Sequence, residues 1–165
     1  MSTGAGPAAT GLRMIEPSDP VQLERYYELR WRLLRAPWGQ PRGSERDELE
    51  ERAVHLMACN PEGEAVAVGR LHFNTVTQAQ VRYMAVEPSW RGRGVGRLLL
   101  RALEENARHR GADQMVLDAR EAAVGFYEHC GYRTIRPAHT LFGTIRHWQM
   151  EKALQSCAPT DSVRS

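Results

Sequence analysis

Glycine alternates with other residues at positions 91–96, Arg91-Gly92-Arg93-Gly94-Val95-Gly96, and Arg97 follows. Upstream, 78–86 reads as a strand, and Pro88 stops it because proline cannot donate to a ladder. Downstream, Leu98, Leu99, Ala102, Leu103 and Ala107 line one face of a helix over 94–110. Glycine lets a backbone come close to a ligand. The first turn of a helix carries N–H groups without an internal acceptor, at the positive end of the helix dipole. Strand, glycine loop and helix start therefore suit a phosphate or pyrophosphate, with Arg91, Arg93 and Arg97 adding charge. A plain strand-to-helix turn would use the same glycines without a ligand.

The spacing separates this loop from two common nucleotide sites. A dinucleotide fold needs GxGxxG early in a βαβ unit, and a Walker A loop needs its lysine; neither is present. The pattern Arg91-x-x-Gly94-x-Gly96, directly after Met84-Ala85-Val86-Glu87-Pro88, resembles the acetyl-CoA-binding motif of the GCN5-related N-acetyltransferases, the GNAT superfamily. A later stretch, Ala119-Arg120-Glu121-Ala122-Ala123-Val124-Gly125-Phe126-Tyr127-Glu128-His129-Cys130-Gly131-Tyr132, resembles that family's second motif. The two occur in the family's order, and the resemblance extends over 12–152. Tyr26-Tyr27-x-x-Arg30-Trp31, Gly69-Arg70-Leu71 and Arg82-Tyr83-Met84-Ala85-Val86 are also similar to a bacterial subgroup. Its domains stand alone or precede a thioesterase-like domain; its link to fatty-acid synthesis is not carried over.

The resemblance implies an α+β GNAT fold, with a mixed, mostly antiparallel central sheet of about six or seven strands flanked by about four helices. It implies acetyl-CoA as cofactor. Pantetheine would lie along Met84, Ala85 and Val86, where the family's strand bulges. The pyrophosphate would sit on the backbone of Arg91, Gly92, Arg93, Gly94, Val95 and Gly96, with Arg97 beside it. Arg120 stands where many relatives have asparagine next to pantetheine. Tyr127 matches the tyrosine that acts as general acid toward the thiolate, so it is the expected catalytic residue. Relatives with a glutamate base on the central strand place it near Gln80, which cannot take a proton. His139 and His147 are candidates near the acceptor, and a water chain or an already partly neutral amine could replace a base. Arg82 shares a face with Gln80 and Met84 by strand alternation. It would either meet a carboxylate or phosphate on the acceptor or pair with a nearby acid. Trp38, in the loop over 36–47, would help shape the acceptor entrance.

The acceptor is then an amine, on a small molecule or a protein. Transfer to oxygen or sulfur, including an acyl-carrier pantetheine, is the alternative enzymatic reading. A non-catalytic acyl-CoA-binding module is the third. The family often pairs through late strands, which allows a homodimer.

Composition agrees with a globular domain: 165 residues, 42% hydrophobic and 25% charged, with a net charge of +2 that gives no argument for nucleic acid. No apolar run approaches a membrane span, and the N-terminus has no signal-peptide core, so a cytoplasmic protein is expected. Of 22 basic residues only Lys152 is lysine. Cys59, Cys130 and Cys157 form no CxxC pair, which argues against a structural metal and leaves the metal assignment at none.

The elements that must position these groups are legible in outline. Residues 12–16 read as a strand, and Asp19-Pro20 as a helix start. Leu23, Tyr26, Tyr27, Arg30, Leu33 and Leu34 then recur at helical spacing. A capping box at Ser44–Asp47, read as 44–47, predicts a short acidic helix. Segments 53–59 and 64–73 predict a hairpin around Asn60-Pro61-Glu62-Gly63. Further strands are expected at 115–117, 132–135 and 145–152, and a helix at 121–130. The single domain is expected over 11–153, between flexible ends at 1–10 and 154–165.

Overall fold

The computed structural model describes residues 11–155. The expected N-terminal tail, Cys157 and all but two residues of the expected C-terminal tail lie outside them. Seven strands form the sheet: β1 (Arg13–Ile15), β2 (Val54–Cys59), β3 (Ala65–Phe73), β4 (Gln78–Val86), β5 (Gln114–Arg120), β6 (Arg133–Leu141) and β7 (Ile145–Ala153). Their order is β1-β2-β3-β4-β5-β7-β6. The described residues contain three α-helices: α1 (Pro20–Leu34), α2 (Val95–His109) and α3 (Val124–His129). None of them is long and apolar enough to cross a membrane. The fold divides into two compact units. One holds the chain up to His72 with Arg82–Leu103; the other holds Phe73–Val81 with the chain from Glu104 onward. β4 and α2 each run from one unit into the other.

In the first unit, Asp19 caps α1 by accepting the Gln22 N–H at 2.8 Å, with Pro20 in the first turn. The inner face of α1 packs Tyr26, Tyr27, Leu29 and Leu34 against Met57, Cys59, Val68, Tyr83 and Ala85 from three strands. Gly69 permits close approach of α2: a Cβ there would stand 2.9 Å from Leu103 Cδ1.

Two arginines, Arg30 and Arg70, are fully buried in this unit. A buried charge needs a partner. Arg70 Nη1 donates to Asp47 Oδ1 at 2.6 Å and to Glu50 Oε2 at 2.7 Å; its Nη2 donates to Asp47 Oδ2 at 3.1 Å. Arg30 Nη1 donates to the same Glu50 oxygen and to the Glu45 carbonyl, both at 2.9 Å, and its Nη2 to the Tyr26 hydroxyl at 2.6 Å. Burial pushes the Asp47 carboxyl upward, but hydrogen bonds from Arg70 and from the Leu49 N–H, with the nearby charges, outweigh it and hold it at about 2. Glu50 is lowered in the same way, by Arg30 and Arg70 against burial.

This pairing overturns the expected capping box and acidic helix. Residues 44–49 form turns and irregular backbone, followed by a single 3-10 turn at Glu50–Arg52. The carboxylates that would have supported a helix are bound to buried guanidinium groups. Asp47 Oδ1 also accepts the Leu49 N–H at 2.8 Å, a local bond that competes with helix formation.

In the second unit the first half of β4 runs parallel to β5, Gln78–Val81 facing Gln114–Leu117 in register. β5 and β6 both pair antiparallel with β7. Buried Glu104 accepts the Tyr132 hydroxyl at 2.8 Å and Lys152 Nζ at 3.1 and 3.2 Å. The chain's one lysine is thus engaged in a structural pair. β5 and β6 are both longer than expected. Pro137 lies in β6, an edge strand, at a register irregularity, where proline is tolerated. The expected helix at 121–130 is a 3-10 turn, Glu121–Ala123, followed by α3.

Replacing Asp47 with Asn removes a carboxylate from buried Arg70 and should cost roughly 3 kcal/mol at pH 7. The folded Asp47 pKa lies below the unfolded value of about 4, so its contribution is full above that pH and is lost as pH falls toward about 2. Urea unfolding should show wild-type stability falling across that interval and a shallower fall in Asp47→Asn.

Candidate functional site

β4 delivers its last residues to the loop through an irregular backbone. Tyr83 has φ 57°, in the left-handed region that non-glycine residues rarely adopt. The neighbouring pattern still alternates: Val81, Tyr83 and Ala85 are buried, Arg82 is exposed, and Gln80, Met84 and Val86 are intermediate. A 3-10 turn, Pro88–Trp90, closes the strand. Arg91 Nε donates to the Val86 carbonyl at 3.1 Å, tying the loop back to the strand end. Arg93 stacks its guanidinium 4.8 Å from the Trp90 ring. Arg32 clamps Glu87 through both Nη atoms, at 2.9 and 2.8 Å.

The loop then passes two left-handed glycines, Gly92 at φ 77° and Gly94 at φ 82°. A Cβ at either position would meet nothing within 4 Å, so space lies open beside the backbone. Leu98 N–H to Gly94 C=O, at 3.1 Å, is the first helical bond into which the loop feeds. The amides of Val95, Gly96 and Arg97 precede it and have no helical carbonyl behind them. Val95 and Gly96 are buried, whereas Arg91, Arg93 and Arg97 are exposed. Amide donors, the helix dipole and exposed cations thus converge at a place suited to an anion.

The second unit holds the other expected groups. Tyr127 in α3 is buried and packs edge-on against Phe126 and Tyr132. Burial pushes its phenol well above the ordinary range; Cys130 adds to that and the charge of Arg120 works against it. Arg120 ends β5 opposite His147 in the β5–β7 register. His147 and His139 stack with ring centroids 4.3 Å apart, and His139 Nδ1 lies 3.8 Å from Asp118 Oδ2. His147 Nδ1 is 3.0 Å from the Ile145 carbonyl. A carbonyl only accepts, so Nδ1 carries the proton and Nε2 keeps its lone pair in the neutral ring. Burial, then His139, lower the His147 pKa from the ordinary value of 6.5. Gln80 accepts from Asn74 Nδ2 at 3.0 Å.

Back in the first unit, Arg82 pairs with Asp47 at 3.0 Å, so it does find the acid that its charge allowed. Its guanidinium lies 4.7 Å from the ring of the next residue, Tyr83. Trp38 is 41% exposed, at the end of the Ala36–Trp38 turn. The cluster of Arg30, Asp47, Glu50 and Arg70 was not singled out from sequence as a unit. Its visible signals were Arg30 on the apolar face of α1 and Arg70 inside the apolar run of β3.

The acetyltransferase (GNAT) family profile matches residues 23–132. The chain belongs to this family. It is 31% identical over 141 residues to the uncharacterized N-acetyltransferase YjcF of Bacillus subtilis, covering 86% of this chain and 99% of that one. The structure of a proposed N-acetyltransferase from Lactobacillus plantarum superposes with a TM-score of 0.77 at 24% identity, over 88% of this chain and 100% of that one. An aminoglycoside 6'-N-acetyltransferase complexed with coenzyme A gives a TM-score of 0.72 at 18% identity, over 92% and 99%. These superpositions show the GNAT fold, and family membership makes the chain an N-acetyltransferase that uses acetyl-CoA.

For this acetyltransferase, Gly94→Ala should strain a left-handed residue by about 1–2 kcal/mol without a steric clash. The free loop relieves that strain by leaving the left-handed shape and must regain it on binding, so acetyl-CoA affinity measured by calorimetry should fall about five- to thirtyfold, since 1.4 kcal/mol is a factor of ten. Unchanged affinity would mean that the loop backbone does not contact the cofactor.

Proposed function

We propose that this chain transfers the acetyl group of acetyl-CoA to an amine by direct attack within a ternary complex, with the pyrophosphate held by the backbone of residues 91–97. The observation that carries this reading is the pair of left-handed glycines, Gly92 and Gly94, with open space beside them at the start of α2. The arrangement fits a diphosphate: amide donors face it, and Arg91, Arg93 and Arg97 can fold over it. The irregular backbone at Tyr83 supports Met84, Ala85 and Val86 as the strand that meets pantetheine, and Arg120 is the further residue assigned to the cofactor.

Acetyl-CoA supplies an activated acyl group as a thioester. The new N–C bond forms as the C–S bond breaks, one proton leaves nitrogen, and sulfur gains one. Tyr127 is our assignment for the proton given to sulfur. Its raised pKa keeps the phenol protonated throughout the working range, which suits a donor rather than a base. His147 is our assignment for the proton taken from nitrogen, with its Nε2 unprotonated and His139 and Arg120 both disfavouring the charged ring. Gln80 cannot serve. His139, Gln80 and Trp38 then contribute shape and hydrogen bonding on the acceptor side. The acceptor is an amine of a small molecule or a protein. The cytoplasm, where acetyl-CoA is available, is the expected setting, and a homodimer remains part of the proposal.

Thiol release from acetyl-CoA should require an amine, and Tyr127→Phe should lower kcat about a hundredfold while acetyl-CoA still binds. Protonated His147 cannot accept a proton, so kcat/KM should fall as pH drops through a pKa below 6.5. In His147→Asn the rate should be lower and that limb absent; a limb that persists would reject the base assignment.

A further inference from the structure

Arg82 has a stereochemistry that the acetyl-CoA site does not use. Its Nη1 is fixed by Asp47 at 3.0 Å, and its plane lies 4.7 Å from the Tyr83 ring. Asp47 is in turn held by fully buried Arg70. Arg82 Nε and Nη2 make no hydrogen bond with any described residue, and the side chain is 44% exposed. One edge of the guanidinium is therefore anchored and the other faces solvent.

The surrounding charges are sorted by depth. The acids bonded into the cluster, Glu45, Asp47 and Glu50, have side chains 1%, 14% and 12% exposed. The cations at its outer end, Arg46 and Arg82, are 50% and 44% exposed. Arg46 is itself braced, with its guanidinium 3.7 Å from the Tyr27 ring and its Nε 3.3 Å from Glu45. Glu48 and Glu51 are exposed acids of the same segment, but they take no part in the cluster's hydrogen bonds. Arg30 and Arg70 draw the Asp47 and Glu50 carboxylates inward, and Glu45 Oε1 accepts the Gly43 N–H, so the outward ends that the cluster presents are cationic. A planar guanidinium with a free edge suits a carboxylate or phosphate, and bracing reduces the entropy lost when it binds.

Arg82 also lies two residues before Met84 in β4, across the left-handed backbone of Tyr83. We propose that Arg82, flanked by Arg46, anchors a carboxylate or phosphate group on the acceptor, so that the substrate is a small amine that also carries an anion. This rests on the acetyl-transfer reading above and adds the acceptor class to it. The braced arginine selects by charge, while a tetrahedral phosphate and a planar carboxylate remain to be separated by the acceptor series.

Initial rates with acetyl-CoA should be compared for paired acceptors: ethanolamine against O-phosphoethanolamine, and propylamine against β-alanine. The anionic member of at least one pair should be preferred at least tenfold in kcat/KM, and the better pair identifies phosphate or carboxylate. Arg82→Gln should remove that preference by raising the anionic acceptor's KM about tenfold. Arg82→Lys should restore part of it, and the KM for acetyl-CoA should hold. Melting temperatures of the variants establish that they are folded. Equal use of both members of each pair, preference for the uncharged member, or an equal loss on both in Arg82→Gln would overturn the proposal while leaving acetyl transfer intact. No thiol release with any amine, despite bound acetyl-CoA, would contradict both readings.

Discussion

Two guanidinium groups without solvent exposure constrain the first unit of this protein. Arg30 on α1 and Arg70 on β3 must remain charged, and each needs carboxylates brought to it. Asp47 and Glu50 meet that requirement from a segment with almost no regular structure. The segment's conformation is therefore set by ion pairing rather than by backbone propensity. Tyr83 lies within this arrangement, with Arg30 4.4 Å and Arg70 4.9 Å from its ring. The same residue carries the left-handed backbone of β4. The pairing that secures the fold thus surrounds the irregular point in the strand that leads to the glycine loop.

The tract from β4 through the loop into α2 holds the groups proposed for cofactor binding in one stretch of sequence. Its parts act differently. The glycines open space, the helix start presents amides, and the exposed arginines contribute charge, Arg91 from a tie to the Val86 carbonyl and Arg93 from its stack on Trp90. The proton-transfer groups proposed for the second unit obey another logic. Tyr127 is kept protonated and His147 kept neutral by the same factor, removal from water, acting on an acid and a base. Desolvation moves these pKa values in opposite directions, so each group rests in the protonation state that its proposed role needs.

Legibility of the sequence followed the range of the interactions. Asp19-Pro20, the Asn60–Gly63 turn and β4 could be read because their signals are local: a cap, a turn tetrapeptide, a proline stop. The glycine loop was legible as a strand-to-helix connection for the same reason, and its proposed cofactor role rests on the resemblance of this loop and of the motif that ends at Tyr132. The acidic segment was misread because Asp47 and Glu50 looked like helix-supporting acids, while their partners lie 23 and 20 residues away in sequence. The expected strand stopped at Ile135, short of Pro137, whereas β6 runs on to Leu141, because proline's tolerance on an edge strand depends on where the strand stands in the sheet. Arg82 could be placed on its strand, and an acid partner was foreseen without being identified. Its braced, half-exposed state depends on Asp47 and Tyr83 together.

Direct attack in a ternary complex is the central mechanistic claim, and a two-substrate kinetic grid tests it most directly. Initial rates over a matrix of acetyl-CoA and amine concentrations should give double-reciprocal lines that intersect, with the amide as product and no acetyl group retained on the protein by mass spectrometry. Parallel lines, accompanied by an acetylated enzyme formed before the amine is added, would contradict the account.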